Sequence, residues 1–385
     1  MTITAEPTTA TTHSPDPALD VFDDEGAAAD ARAAALADRL FQAGLASIDL
    51  LTVYLGVRLD LYAALRDHGP LTHGGLAAAA GIDPRYAQEW LEQQTVTGIL
   101  ACEDRTAPDA KRRYELPAGH DTVLLDGDSP ACLAPLALAT AGVAQVLPQL
   151  LDAYRTGAGV PYVAYGADFR DGQAGFNRPA FTNLLAGEWL ANGLPDVYER
   201  LQRGDRVRVA DVACGAGWSS IALARAFPHA RIEGFDVDEA SIADARRNAS
   251  QAGVADRVSF EVADAAEMPA GAYDLVCIFE AIHDMSRPAD VLRAVRACTA
   301  DAGTVVVMDE KAADSFAESD GPFEAFLYGA SVLHCLPVGM SEQPSAATGT
   351  VMRTSTLRGY ARSAGFADVE VLPIEHDLFR FYRLI

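Results

Sequence analysis

The stretch RVRVADVACGAGWSS constrains the fold of this chain more than any other. An apolar run from Val207 to Ala213 has the length and β-branched content of a buried strand. Gly215 and Gly217 follow, and Trp218-Ser219-Ser220 opens a helical pattern. Glycines between a strand and a helix let a ligand approach the backbone where a side chain would block it. The helix N-terminus beyond them offers free amides and the positive end of a dipole. Asp211 can hold the turn or reach a ligand ammonium through a water.

The chain after this turn alternates strands and helices, as a parallel sheet covered on both faces does. RIEGFDVD is a second strand ending near Asp236, 19 residues past Gly217. An acid there accepts hydrogen bonds from two ribose hydroxyls. VSFEVADAAEMP is a third strand, whose end sets Asp264 and the Ala265 amide where an adenine amino group would lie. YDLVCIFEAIHDMSRP and GTVVVMDE are the fourth and fifth strands with their loops, and Phe279 at the fourth strand's end is a candidate cofactor contact. Acids thus close successive strands at Asp236, Asp264 and Asp284, on the sheet edge where parallel sheets bind ligands. A nicotinamide dinucleotide fits less well, because its fingerprint wants Gly or Ala where this chain has Ser220.

Together, DVACGAGWSS, GFDVD, EVADAAEMP and FEAIHDMSRP resemble the successive motifs of class I S-adenosylmethionine-dependent methyltransferases. The tail AGFADVEVLPIEHDLFRFYRLI resembles that family's closing antiparallel hairpin. The resemblance implies an α/β fold with a Rossmann-like sheet over residues 176–385 and S-adenosyl-L-methionine as cofactor. It departs at Ala213, where many members have glycine; alanine is tolerated there if its φ stays negative.

In residues 31–175 the period is helical. A short helix to Ala80, a glycine stop at Gly81, a cap at Asp83 with Pro84, and two short strands after Thr97 make a winged helix-turn-helix. An N-terminal winged helix before such a sheet is similar to small-molecule O-methyltransferases. The segment LYGASVLHCLPVGM is shared with a bacterial subgroup of them commonly described as regulators.

That resemblance implies a catalytic pair. His283-Asp284 looks like the HD pair whose histidine is the general base of plant-type O-methyltransferases, and Glu310 looks like the acid that orients it. Against this, many methyltransferases keep a histidine in this loop for packing alone, and a second flanking acid is not recognisable before AGF. Phe181 on the helix entering the sheet domain, and Tyr328 and His334 in FEAFLYGASVLHCLPVGM, are candidate substrate contacts or else core. Asp284, Asp309 and Glu310 could hold Mg²⁺, but the Asp-Asn pair of metal-dependent relatives is missing, so no metal is expected.

Composition narrows partners. The net charge is −24 and no basic patch stands out, which disfavours nucleic acid and anionic membranes. The recognition-type helix carries Glu89 and Glu92, so DNA binding is not expected. No apolar run reads as long enough to span a bilayer, and the N-terminus lacks the basic and apolar regions of a signal peptide. Six scattered cysteines fit a reducing cytoplasm. Residues 1–30, acidic and poor in large apolar residues, read as a disordered tail. The long Ala/Leu-rich helices beyond them exceed what a small winged domain can bury, which points to a homodimer joined through residues 31–156. Three functions stay open: methyl transfer to a small molecule, a cyclase-type reaction supported by the same cofactor, and cofactor-sensing regulation of DNA.

Overall fold

The computed structural model of the chain describes residues 17–204, 206–268 and 270–385. They divide into two compact units, the division falling between Thr52 and Val53.

Helix α1 (Pro17–Arg58) forms the described part of the first unit and ends within the second. Residues 17–30 of the expected disordered tail therefore belong to a helix, and residues 1–16 lie outside the described residues. Seven alanines between positions 27 and 35, the residue with the best helix propensity, explain the difference. Along α1, Leu36, Leu40, Phe41, Leu45 and Ile48 stay exposed.

The second unit opens with α2 (Leu61–His68), α3 (His73–Ala80) and α4 (Pro84–Val96). Gly81 ends α3 at φ 68°, and the Asp83 carboxylate accepts from the Arg85 amide at 2.8 Å to start α4. Strands β1 (Ala101–Cys102) and β2 (Tyr114–Glu115) pair antiparallel as the wing. The winged helix-turn-helix is thus formed as its caps predict. Next come α5 (His120–Leu124), α6 (Ala134–Thr156) and α7 (Gly166–Ala180), which runs on without a break into a π-helix over Phe181–Leu190. The boundary expected between residues 175 and 176 falls inside this continuous helix.

Two helices correct the reading that no run could cross a membrane. By length and mean hydropathy Gly26–Arg58 and Ala134–Thr156 both qualify, because alanine raises the mean between scattered charges. In α6 one face, with Ala137, Ala141, Val146 and Leu150, is buried in the protein.

Short helices α8 (Ala191–Gly193) and α9 (Pro195–Gln202) lead into the sheet. Its elements are β3 (Arg208–Val212), α10 (Trp218–Ala226), β4 (Arg231–Asp236), α11 (Glu239–Gln251), β5 (Val258–Val262), β6 (Tyr273–Phe279), α12 (Pro288–Cys298) and β7 (Thr299–Glu310). Then follow α13 (Gly321–Ala330), a π-helical turn over Ser331–Cys335, α14 (Leu336–Gly339), α15 (Thr354–Ser363), β8 (Val369–Val371) and β9 (Phe379–Leu384). The seven strands run β5-β4-β3-β6-β7-β9-β8. The first five are parallel, and β9 lies antiparallel between β7 and β8. This is the doubly wound sheet with an antiparallel hairpin that the motifs predict. Residues alternate between its two faces: Val209 joins a core with Ile221, Phe227 and Phe260, while Ala210 joins one with Ile278, Leu292 and Leu357. The order reverses between β3 and β6, which opens a crevice above their carboxyl ends.

Candidate functional site

A cavity of about 530 Å³ occupies that crevice. Its floor is the ends of β3, β4, β5 and β6, and Asn177 and Phe181 of the α7 helix lie over it.

The turn after β3 is held by the acids around it. Asp211 is buried, and its Oδ2 accepts from the hydroxyls of Ser219 and Ser220, each at 2.6 Å, which ties the strand to the start of α10. Burial outweighs those bonds and pushes its carboxyl up to about 6. Ala213 lies at φ 57°, so the condition that its φ stay negative fails: it takes the left-handed conformation glycine takes freely. Gly215, at φ 51°, has nothing near the place of a Cβ and opens onto the cavity. Gly217 does not line the cavity. A Cβ on it would come within 2.7 Å of the Phe260 ring, so its expected ligand contact is corrected to close helix–sheet packing.

Asp236 accepts from the Gly215 amide at Oδ2 and from the Asp238 amide at Oδ1, both at 2.9 Å. A carboxylate has about four lone-pair directions, so Asp236 keeps acceptor capacity towards the cavity it lines. Asp264 and Ala265 line the cavity at the end of β5, and Phe279 does so at the end of β6. The Phe181 ring tilts against Phe279 with centroids 5.6 Å apart, so the one expected substrate contact that reaches the cavity sits beside an expected cofactor contact.

The end of the cavity above β6 is acidic. Asp284 lines it, and so does Glu280, whose carboxylate accepts from the Asn177 side-chain amide. His283 does not line it. Its ring is buried, with Nδ1 donating to Asp309 Oδ1 at 2.7 Å and lying 3.0 Å from Glu310 Oε2. Its Nε2 lies 3.1 Å from Asp284 Oδ1, so Asp284 stands between the ring and the cavity. Burial disfavours the imidazolium, but Asp309, Glu310 and Asp284 outweigh it and hold the ring's pKa well above its usual range. Burial likewise pushes the Glu310 carboxyl up to about 8. The orienting acid expected in Glu310 is therefore a pair, with Asp309 making the hydrogen bond.

His334 and Tyr328 are displaced from their expected places. His334 is buried, stacked on Phe169 with centroids 4.1 Å apart and edged by Tyr162 and Tyr165. Burial lowers its pKa to about 4, so it is neutral. Tyr328 packs edge-on against Phe316 away from the cavity. His334 lies within the π-helical turn Ser331–Cys335, which changes the face it presents, whereas Tyr328 precedes that turn in α13. Tyr162, Asn177 and Glu280 escaped the sequence reading. Only Glu280 left a signal, as the single acid in the run IFEAI.

Two family models match the chain: a methyltransferase domain over residues 204–330 and an Rv2258c-like winged HTH domain over residues 46–126. The 27-O-demethylrifamycin SV methyltransferase of Amycolatopsis mediterranei is 36% identical over 106 residues, 27% of this chain and 36% of that protein. The chain spans about a third or less of the length of the curated relatives it matches. Human N-acetylserotonin methyltransferase, solved with S-adenosylmethionine, superposes with a TM-score of 0.59 at 16% identity, over 97% of this chain and 99% of that one. The N,N-8-amino-8-demethyl-D-riboflavin dimethyltransferase of Streptomyces davawensis does so with a TM-score of 0.57 at 19% identity, over 90% and 98%. At such identities the two structures share a fold with this chain. Sheet order, switch-point cavity and family models agree: the chain has the class I S-adenosylmethionine-dependent methyltransferase fold, carried behind an N-terminal winged helix-turn-helix domain.

Proposed function

We propose that this protein is a cytoplasmic enzyme that transfers a methyl group from S-adenosylmethionine to a hydroxyl of a small secondary metabolite, working as a homodimer. The cavity at the switch point carries this reading, because one space joins the adenosyl-type acids Asp236 and Asp264 to the acids at the end of β6. Asp236 holds the ribose, Asp264 and the Ala265 amide the adenine, and Phe181 and Phe279 close over the bound molecule. When bound, S-adenosylmethionine supplies an electrophilic methyl on a sulfonium. The chain then has to hold the acceptor in line and remove its proton.

His283 and Glu310 serve that proton through Asp284, which stands between the imidazole and the cavity. An imidazolium cannot accept a proton, so the relay gains capacity only as pH rises towards the raised His283 value. The rifamycin methyltransferase, matched over part of its length, favours an oxygen acceptor. The riboflavin-type dimethyltransferase has this fold too, so the acceptor atom is for experiment to settle. The test is incubation with S-adenosylmethionine and a panel of phenols, alcohols and amines. S-adenosylhomocysteine and a hydroxyl product heavier by one methylene support the reading; methylated amines alone overturn its acceptor, and S-adenosylmethionine consumed without methyl gain points to a cyclase-type reaction.

The exposed Leu36, Leu40, Phe41, Leu45 and Ile48 support a dimer, since monomers seldom leave such a stripe bare. Light scattering at twice the chain mass checks it. On α4 Arg85 pairs with Glu89, and Arg112 beside it pairs with Glu92, which leaves little charge for phosphates. A specific footprint on duplex DNA would revive the regulator.

A further inference from the structure

Resting on the cofactor reading above, the strand order gives the cavity a direction. Asp236 and Asp264 end β4 and β5, so the adenosyl group lies over that side. The sulfur end then runs across β3 to the end of β6, where Glu280 stands. Glu280 and Ala213 are both non-glycine residues at positive φ, 50° and 57°, at the ends of the two strands that flank the switch point. Strain of this kind persists only where surrounding structure enforces it, and it clusters at ligand sites. Asn177 of α7 fixes the Glu280 carboxylate by a hydrogen bond. The charged groups acting on it are Glu310 from β7 and His283 and Asp284 from the loop beyond β6. The cation among them, His283, is already held by three other carboxylates. Arg170 and Arg287 line the same cavity, Arg170 paired with Asp244, and among the described residues no ion pair joins either to Glu280, so Glu280 is a carboxylate on the cavity wall without a counter-ion of its own.

We propose that Glu280 reads the charge on the cofactor's sulfur, favouring the sulfonium of S-adenosylmethionine over the neutral thioether of S-adenosylhomocysteine. A cation entering beside this carboxylate supplies the counter-ion it lacks, and a thioether does not. The proton on Glu280 reports the difference. Burial, then Glu310, pushes the carboxyl up to about 8, so the empty site keeps a proton to a higher pH than an ordinary carboxylate would. A sulfonium drives that proton off, whereas a thioether leaves it in place.

The experiment is calorimetry on the full chain at pH 8, in two buffers of different ionisation heat, with S-adenosylmethionine and with S-adenosylhomocysteine. Wild type should release measurably more proton with the sulfonium than with the thioether. Glu280→Gln should abolish that difference and weaken S-adenosylmethionine about tenfold, leaving S-adenosylhomocysteine unchanged, as loss of one charge contact of moderate strength does. Equal proton release by wild type with both ligands overturns the proposal without any variant. So does a difference that survives in Glu280→Gln. If neither ligand binds, the cofactor reading itself fails, a result distinct from both.

Discussion

The two halves of the cavity, on either side of β3, are built in different ways. Towards β4 and β5, the acids act on neutral neighbours: Asp236 clasps the Gly215 and Asp238 amides, and Asp211 accepts from the Ser219 and Ser220 hydroxyls. Towards β6 and β7, the acids act on one another: Glu280, Asp284, Asp309 and Glu310 crowd around a single imidazole. The first half is a turn made rigid by hydrogen bonds from neutral donors, backbone amides and serine hydroxyls. The second is a buried charge cluster whose members set each other's protonation. Changes in the first half should act mainly on ligand affinity; changes in the second should act on stability and pH response, with Glu280 alone also touching affinity for the charged cofactor.

The sharpest way to break this contrast is His283→Ala. It removes the cation shared by Asp309, Glu310 and Asp284 and should lower stability by about 3–5 kcal/mol, the usual result of stripping one partner from a buried charge pair. Chemical denaturation measures it; a loss under about 1 kcal/mol would mean that the cluster neutralises itself by taking up protons. Methyl transfer should fall with it.

Asp236→Ala should cost about 2–4 kcal/mol of S-adenosylmethionine affinity, because ribose hydroxyls and the Gly215 amide both lose an acceptor. Calorimetry showing wild-type affinity would remove Asp236 from the ribose.

The pH dependence of stability above neutrality should come mainly from the β6–β7 half, because Asp211 in the other half is pushed up only to about 6. Glu280 and Glu310 have raised folded-state pKa values, near 8 against about 4.3 unfolded. The folded chain keeps their protons longer, so their contribution is complete below pH 4 and is lost as pH rises through about 8. His283, also raised, contributes below its unfolded value near 6.5 and loses that contribution as pH passes its higher folded value. The melting temperature should therefore decline from pH 5 to pH 9, and less steeply in Glu280→Gln. Calorimetric melts showing parallel curves for the two proteins would contradict the assignment.

The smallest effect belongs to the turn between the halves. Ala213→Gly relieves a left-handed alanine, worth about 1 kcal/mol, and returns part of that through the greater freedom of unfolded glycine. The net gain should be about 0.5 kcal/mol, read as a higher denaturation midpoint. A loss there would mean that the Ala213 methyl packs usefully.

By itself the sequence determined the sheet, the winged helix-turn-helix and the β4–β5 half of the cavity. Each of these rests on short-range rules: a strand's length, a cap three residues from its helix, glycines before a helix start, an acid at a strand end. Asp236 and Gly215 are 21 residues apart, yet both are marked by their own local pattern. Only the tertiary structure decided the other half. That His283 is enclosed, and that Asp284 stands between it and the cavity, depends on carboxylates 26 residues away from it being folded against the ring. Glu280 meets Asn177 across 103 residues, and nothing near either one announces the other. The place of His334 turned on a π-helical step, which shifts a helix face without changing its apolar pattern. Local rules fix a conformation and its capping. A buried charge takes its protonation state from every charge packed around it, so its chemistry belongs to the fold.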